Sequence, residues 1–237
     1  MRFLLLAAAL FCSTSPLWAA EPQVRRDVAY AEPQHELQTL DIYAPATGKD
    51  HPVIVWIHGG GWRRGDKATL QKKPQAFVDK GFVLVSVNYR FVPQVTIKEM
   101  TADVAKAIRW VHDHAPEFGG DPKSLLVMGH SAGAHLAALV CTDDRYLKAE
   151  GLSLAIIKGC VPVDVSMYDI PKRLKDGGTV GPAALQELFG NSEESFRDLS
   201  PVTHVAKGKH IPPFLILHVA ERPDTKAQSQ WLADKLQ

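Results

Sequence analysis

The sequence predicts an α/β fold, a mostly parallel sheet with helices on both faces. Two observations carry this: short apolar, β-branched runs alternate with helical patterns, and several of those runs are continuously apolar. Continuous rather than alternating apolarity marks strands buried on both faces. The 237 residues suffice for one domain with a substantial core.

Taken in order, residues 37–43 alternate like an early strand and stop at Pro45. Residues 53–58 form a continuous apolar run, and residues 83–88 form another, preceded by Gly81. Residues 101–114 carry Val104, Ala107, Ile108 and Val111 at helical spacing. A short strand over 125–129 leads into a helix of small residues over 132–140. Residues 155–161 and 214–219 read as further strands, and 225–236 as a helix with Trp231, Leu232 and Leu236 on one face. Between the last two strands, Gly177, Gly178, Gly181 and Pro182 precede a helix over 183–189. That stretch is the expected insertion shaping the mouth of a site. No internal repeat or linker interrupts the chain, so one domain is expected over 21–237. A sheet of this kind normally adds another strand and helix, so the fold is expected to lack its last of each.

The first twenty residues differ. Arg2, the apolar run 3–11 and the small residues Ala19 and Ala20 form the pattern of a signal peptide, too short to span a bilayer. A secreted or periplasmic, soluble protein is the expectation. Lys and Arg total 27 against 26 acidic residues; without Arg2 the balance is 26 to 26. This leaves no electrostatic case for nucleic acid, or for an anionic membrane surface once the signal is cleaved. Cys12 falls in the signal segment. Cys141 and Cys160, both in apolar surroundings, read either as two buried thiols or as one disulfide.

The chemistry lies in two glycine-rich motifs. Gly129-His130-Ser131-Ala132-Gly133 sits between an expected strand and helix. A strained strand-to-helix turn would hold the Ser131 hydroxyl exposed for attack on an acyl carbon, and flanking glycines let the backbone bend there. His58-Gly59-Gly60-Gly61-Trp62 follows the buried strand 53–58 and could aim backbone N–H groups at a developing oxyanion. It is not a dinucleotide fingerprint, since Arg64 stands where a third glycine is needed, and no Gly-Lys-Ser/Thr makes it a phosphate loop.

HGGGW at 58–62, Ser-Val-Asn-Tyr-Arg at 86–90, Gly-Gly-Asp-Pro at 119–122 and GHSAGAH at 129–135 resemble the α/β-hydrolase esterases, within them the carboxylesterase and hormone-sensitive-lipase-like group. The resemblance runs from about Leu37 onward. It implies an α/β-hydrolase fold, Ser131 as nucleophile, and Gly60, Gly61 and Ala132 as oxyanion donors. It also implies hydrolysis of carboxylic esters, small or polysaccharide-linked, or of an aryl formamide, with no metal or other cofactor.

The acid partner should follow the strand 214–219. Relatives read His-Gly-x-x-Asp there; this chain reads His218-Val219-Ala220-Glu221-Arg222-Pro223-Asp224. Counting back from Gln228-Ser229 favours Glu221, with Asp224 as the rival. No histidine follows either carboxylate. His58, His130, His135, His112 and His114 each suit a structural place better than that of a base. The expectation is a catalytic histidine outside this chain, or a hydrolase-fold protein that binds without catalysis.

Overall fold

The computed structural model describes residues 22–177 and 180–237. The expected signal segment over 1–20, and Gly178 of the glycine cluster, lie outside the described residues. Elements follow in the order β1 (Gln23–Ala29), β2 (Thr39–Ala44), β3 (His51–Ile57), α1 (Lys73–Val78), β4 (Val83–Val87), α2 (Ile97–His114), β5 (Gly120–His130), α3 (Ala132–Thr142), α4 (Asp144–Ala149), β6 (Ile157–Val163), α5 (Ile170–Asp176), α6 (Pro182–Phe189), α7 (Glu193–Asp198) and α8 (Pro223–Leu236).

The six strands form one sheet in the order β1-β2-β4-β3-β5-β6. β1 and β2 pair antiparallel at one edge, and β2 pairs antiparallel with β4. The rest is parallel, with β3 at the centre. β3 and β4 bury both faces because Val53–Ile57 and Val83–Val87 present apolar groups to each side. On one face α2 and α3 cover Val55, Ile57, Val85, Leu125 and Val127. The opposite face is a smaller cluster under α1, with Ile54, Trp56 and Leu84 buried but Leu126 and Met128 only partly so.

α2 starts earlier than the apolar spacing indicated. Thr96 and Glu99 form a reciprocal capping box at its N-terminus, which the pattern over 101–114 does not contain. α1, α4, α5 and α7 are six- or seven-residue helices with too few apolar positions to show a period. β1, exposed over Gln23–Asp27 with Val24 its one apolar residue there, gives no strand signal either.

The stretch 214–219 departs most from expectation. It runs parallel to β6 but bridges it at only two points, Cys160 to Phe214 and Val163 to Leu217. Pro212 and Pro213 offer no N–H at its start. Leu215, Leu217 and Val219 are 59%, 41% and 44% exposed, unlike any side chain of β3 or β4. Cys141 and Cys160 are both buried free thiols.

No helix among the described residues is long and apolar enough to cross a membrane.

Candidate active site

Ser131 stands between β5 and α3 at φ 53°, ψ −121°, a conformation that costs a non-glycine residue of order 1–3 kcal/mol. Neighbouring structure imposes it. The Ser131 amide donates to the Val163 carbonyl of β6 at 2.9 Å, and its carbonyl accepts from Ala134 and His135 in the first turn of α3. Glycine at 133 is compulsory: a Cβ there would lie 2.2 Å from the Ile57 carbonyl oxygen and 2.4 Å from that of His58. The end of β3 is therefore pressed directly against the start of α3. The turn that the sequence motif suggests is thus built, with its hydroxyl free of any hydrogen-bond partner among the described residues.

The glycine loop after β3 comes to the same place. A Cβ on Gly59 would sit 3.1 Å from the Ser131 Cβ. Gly60 has φ 136° and a Cβ there would meet the Arg64 carbonyl oxygen, so the loop closes through a conformation only glycine takes readily. The amide of Arg63 donates to the Gly60 carbonyl at 3.3 Å, completing a turn. The amides of Gly60, Gly61 and Ala132 have no acceptor among the described residues. Three uncommitted donors thus border the serine, and the first residue of a helix adds its share of positive potential.

His58 and Tyr89 hold this loop. The rings stack at 4.5 Å, the Tyr89 hydroxyl donates to the His58 carbonyl at 2.8 Å, and the His58 Nδ1 meets the Gly59 carbonyl at 2.8 Å. Burial holds the His58 pKa below its ordinary value, so the ring is neutral near pH 7. Tyr89 is fully buried in this role.

Farther along, the loop is fastened by residues that sequence reasoning missed. The Lys67 ammonium, buried, pairs with Asp41 at 2.9 Å and Asp27 at 2.6 Å. The Lys67 amide donates to the Asn88 side chain, and its carbonyl accepts from the Ser86 hydroxyl at 2.7 Å. The available clue was Asp41, a carboxylate inside the otherwise apolar run Leu40–Ala44. Similarly, Arg90 grips the fully buried Asp103 of α2 through two hydrogen bonds of 2.8 and 2.7 Å.

Ser131, Gly60 and Gly61 line one cavity of about 800 Å³, together with His130, Trp56 and Leu217. Leu217 brings the 214–219 stretch to the cavity, but Glu221 and Asp224 do not line it. Glu221 is exposed and unpaired. Asp224 accepts from the Thr225 amide at 2.9 Å and faces Arg222 at 3.8 Å and the buried Arg173 at 3.9 Å. Asp164, at the end of β6, ties this region down: it accepts from the Val219 amide at 3.1 Å and from Arg222 at 2.6 Å. Burial works against its charge, but those hydrogen bonds and the guanidinium prevail and hold its carboxyl below the usual range.

None of the ten histidines hydrogen bonds to Ser131. His135, buried one turn into α3, donates Nε2–H to the Leu199 carbonyl at 2.8 Å, and burial pushes its pKa down to about 4. His112 meets Asp113 at 3.1 Å and His114 stacks on Trp110. His130 lines the cavity and is held neutral by burial. Among the described residues no group of His, Cys, Asp and Glu is arranged to hold a metal ion.

Comparison with known proteins places the chain in a family. The BD-FAE family matches residues 40–236, which is most of the chain. The chain belongs to the BD-FAE family. It is 30% identical over 209 residues to the isoprenylcysteine alpha-carbonyl methylesterase ICME of Arabidopsis thaliana, covering 83% of this chain and 48% of that protein. It is 34% identical over 178 residues to LipM, a probable carboxylic ester hydrolase of Mycobacterium tuberculosis, covering 70% and 40%. This BD-FAE chain spans about half the length of the curated relatives it matches. Among solved structures, an inhibited form of esterase B from Lactobacillus rhamnosis superposes with a TM-score of 0.76 at 25% identity, over 91% of this chain and 72% of that one. The fold is the α/β-hydrolase fold, and the expected resemblance to its esterases holds at that level.

Proposed function

We propose that this BD-FAE member hydrolyses carboxylic esters through an acyl-enzyme on Ser131, in the manner of the HGGG-type esterases. The observation that carries the reading is Ser131 itself, held at positive φ beside three uncommitted amides. Its Oγ would attack the ester carbonyl while a base takes the proton. The carbonyl oxygen, now anionic, would lie against the amides of Gly60, Gly61 and Ala132. The C–O bond to the alcohol breaks as the alcohol takes up the proton, and water then releases the acid. Glu221 is the carboxylate we assign to orient the base, because its charge is uncommitted whereas Asp224 faces two guanidiniums. The relatives' names support an ester as substrate. The 1–20 pattern supports export, which would make small or polysaccharide-linked esters outside the cytoplasm the substrates.

A second reading has its own observation. With no imidazole on the Ser131 hydroxyl, the protein would bind esters and not turn them over. Hydrolysis of p-nitrophenyl butyrate and covalent capture of a fluorophosphonate, each beside Ser131→Ala, separate the two. Ser131-dependent turnover and labelling support the esterase. A folded chain showing neither, while still binding an uncleavable ketone analogue, supports the binding protein. Activity unchanged in Ser131→Ala removes Ser131 from the chemistry.

A further inference from the structure

Two cations line the Ser131 cavity without a counter-charge. Arg64 and Lys73 both border it, and Asp66 is the one carboxylate among its lining residues. The fold already uses Asp66, which accepts from the Ala68 amide at 2.7 Å and the Asn88 side chain at 3.5 Å. Among the described residues neither Arg64 nor Lys73 pairs with a carboxylate. Their neighbours in sequence differ: Arg63 pairs with Glu187 at 2.6 Å, and Lys67 with Asp27 and Asp41.

Lys73 is placed by a turn with a cost. Leu70 is buried, and Gln71 after it takes φ 55°, a left-handed conformation that a side chain disfavours. The chain folds back there. The Leu70 carbonyl accepts from the Lys73 amide at 3.1 Å and from its ammonium at 3.4 Å. The ammonium lies 4.7 Å from the centre of the buried Trp56 ring, whose face attracts a cation. The charge reaches the residue before the nucleophile: burial lowers the His130 pKa first, and Lys73 lowers it as well. A hydrocarbon stem would suffice to cover Trp56. An unpaired charge held beside the serine has a use only if the ligand is negative. A carboxylate on the substrate would meet two free cations there, whereas a neutral ester gains nothing from them.

We infer that Arg64 and Lys73 select esters that carry a free carboxylate, such as the half-ester of a dicarboxylic acid. They bind that carboxylate while the ester carbonyl lies at Ser131. The inference deepens the esterase reading and rests on it, so its test is binding rather than turnover. Methyl ketones keep the carbonyl and cannot be cleaved. Keto acids from 4-oxopentanoate to 7-oxooctanoate, each titrated beside its amide and followed by NMR, read the preference over a range of lengths. At the length that spans the site, the carboxylate should bind about fivefold to tenfold more tightly than the amide. The ratio should shrink on adding about 0.5 M sodium chloride. Lys73→Met, which keeps a stem over Trp56, and Arg64→Gln should each reduce it. The double variant should abolish the preference, and Lys73→Arg should retain most of it. Thermal melting confirms that each variant is folded. No preference at any length in the parent chain overturns the inference, as does a preference that survives the folded double variant. If the preference follows Arg64 and Lys73 but neither p-nitrophenyl butyrate nor monoethyl succinate is hydrolysed, the carboxylate site stands and the catalytic reading falls. Hydrolysis of the butyrate with no carboxylate preference leaves the esterase and removes this site.

Discussion

The Ser131 side of the site and the Glu221 side are held in different ways. Around Ser131, backbone meets backbone: Gly59, Gly129 and Gly133 each stand where a Cβ would strike a neighbouring loop or helix. Around Glu221, one carboxylate does the fastening, with Asp164 holding both the Val219 amide and Arg222. The first region tolerates almost no added atom. The second keeps apolar side chains such as Leu215 in water and can move at the cost of a few polar contacts. Positioning by close packing resists pH and salt, whereas positioning by an ion pair follows both.

The largest effect should come from breaking the packed side. Gly133→Ala places a methyl group 2.2 Å from the Ile57 carbonyl oxygen, so β3 and α3 must separate. A loss of about 3 kcal/mol or more by urea unfolding is expected, with fluorophosphonate labelling of Ser131 abolished. Next comes Lys67→Met. It leaves the buried Asp41 with Arg26 at 3.4 Å as its one cation, beside the Asp27 amide at 3.0 Å, and releases the far end of the glycine loop. Stranding a buried carboxylate in this way should cost about 3 kcal/mol, and Lys67→Met with Asp41→Leu should recover part of it.

pH sharpens the comparison from the other direction. His135 is buried neutral with its pKa lowered to about 4, against about 6.5 in the unfolded chain. The unfolded chain thus binds a proton that the folded one refuses. Stability is full above pH 6.5 and falls between there and about pH 4, by an order of 3 kcal/mol. His135→Gln should flatten that part of a melting-temperature curve. Asp164 acts in a lower window. Its folded pKa is depressed, so its contribution is present above the unfolded carboxylate value and is lost as pH falls through the folded one. The protection factor of the Val219 amide, its exchange measured against the intrinsic rate at each pH, should therefore fall in acid well before those of β3 do.

Much of the packed side was legible because glycine spacing reports backbone collisions, and those are local. Gly129 and Gly133 bracket Ser131 in the sequence as they do in the turn. The central strands were legible for a similar reason, since burial on both faces leaves continuous apolar runs such as Val53–Ile57. Lys67 and Asp103 were not, because a buried ion pair joins residues far apart in sequence and each of these alone reads as a surface charge; Asp41, inside an apolar run, hinted at burial but not at its partner. The 214–219 stretch was legible as apolar but not in its outcome. Its composition resembles β6, yet it bridges β6 at two points and leaves three apolar side chains exposed. Composition shows what a segment could bury and not whether anything covers it.

The smallest effects distinguish the two carboxylates of the exposed side. Asp224 stands in the first turn of α8, accepting from the Thr225 amide and facing Arg173, a guanidinium whose side chain is only 2% exposed. Asp224→Asn keeps an acceptor for the Thr225 amide but removes the charge opposite that buried cation, and should cost about 1–2 kcal/mol. Glu221 has no comparable duty, so Glu221→Gln should change stability by no more than about 0.5 kcal/mol. A residue that does little for the fold and yet sits after the stretch that reaches the Ser131 cavity is the better placed of the two to serve chemistry. Thermal melts of the two variants therefore bear on the assignment before any substrate is added. A large loss in Glu221→Gln would make it a structural residue and shift the role of orienting carboxylate to Asp224.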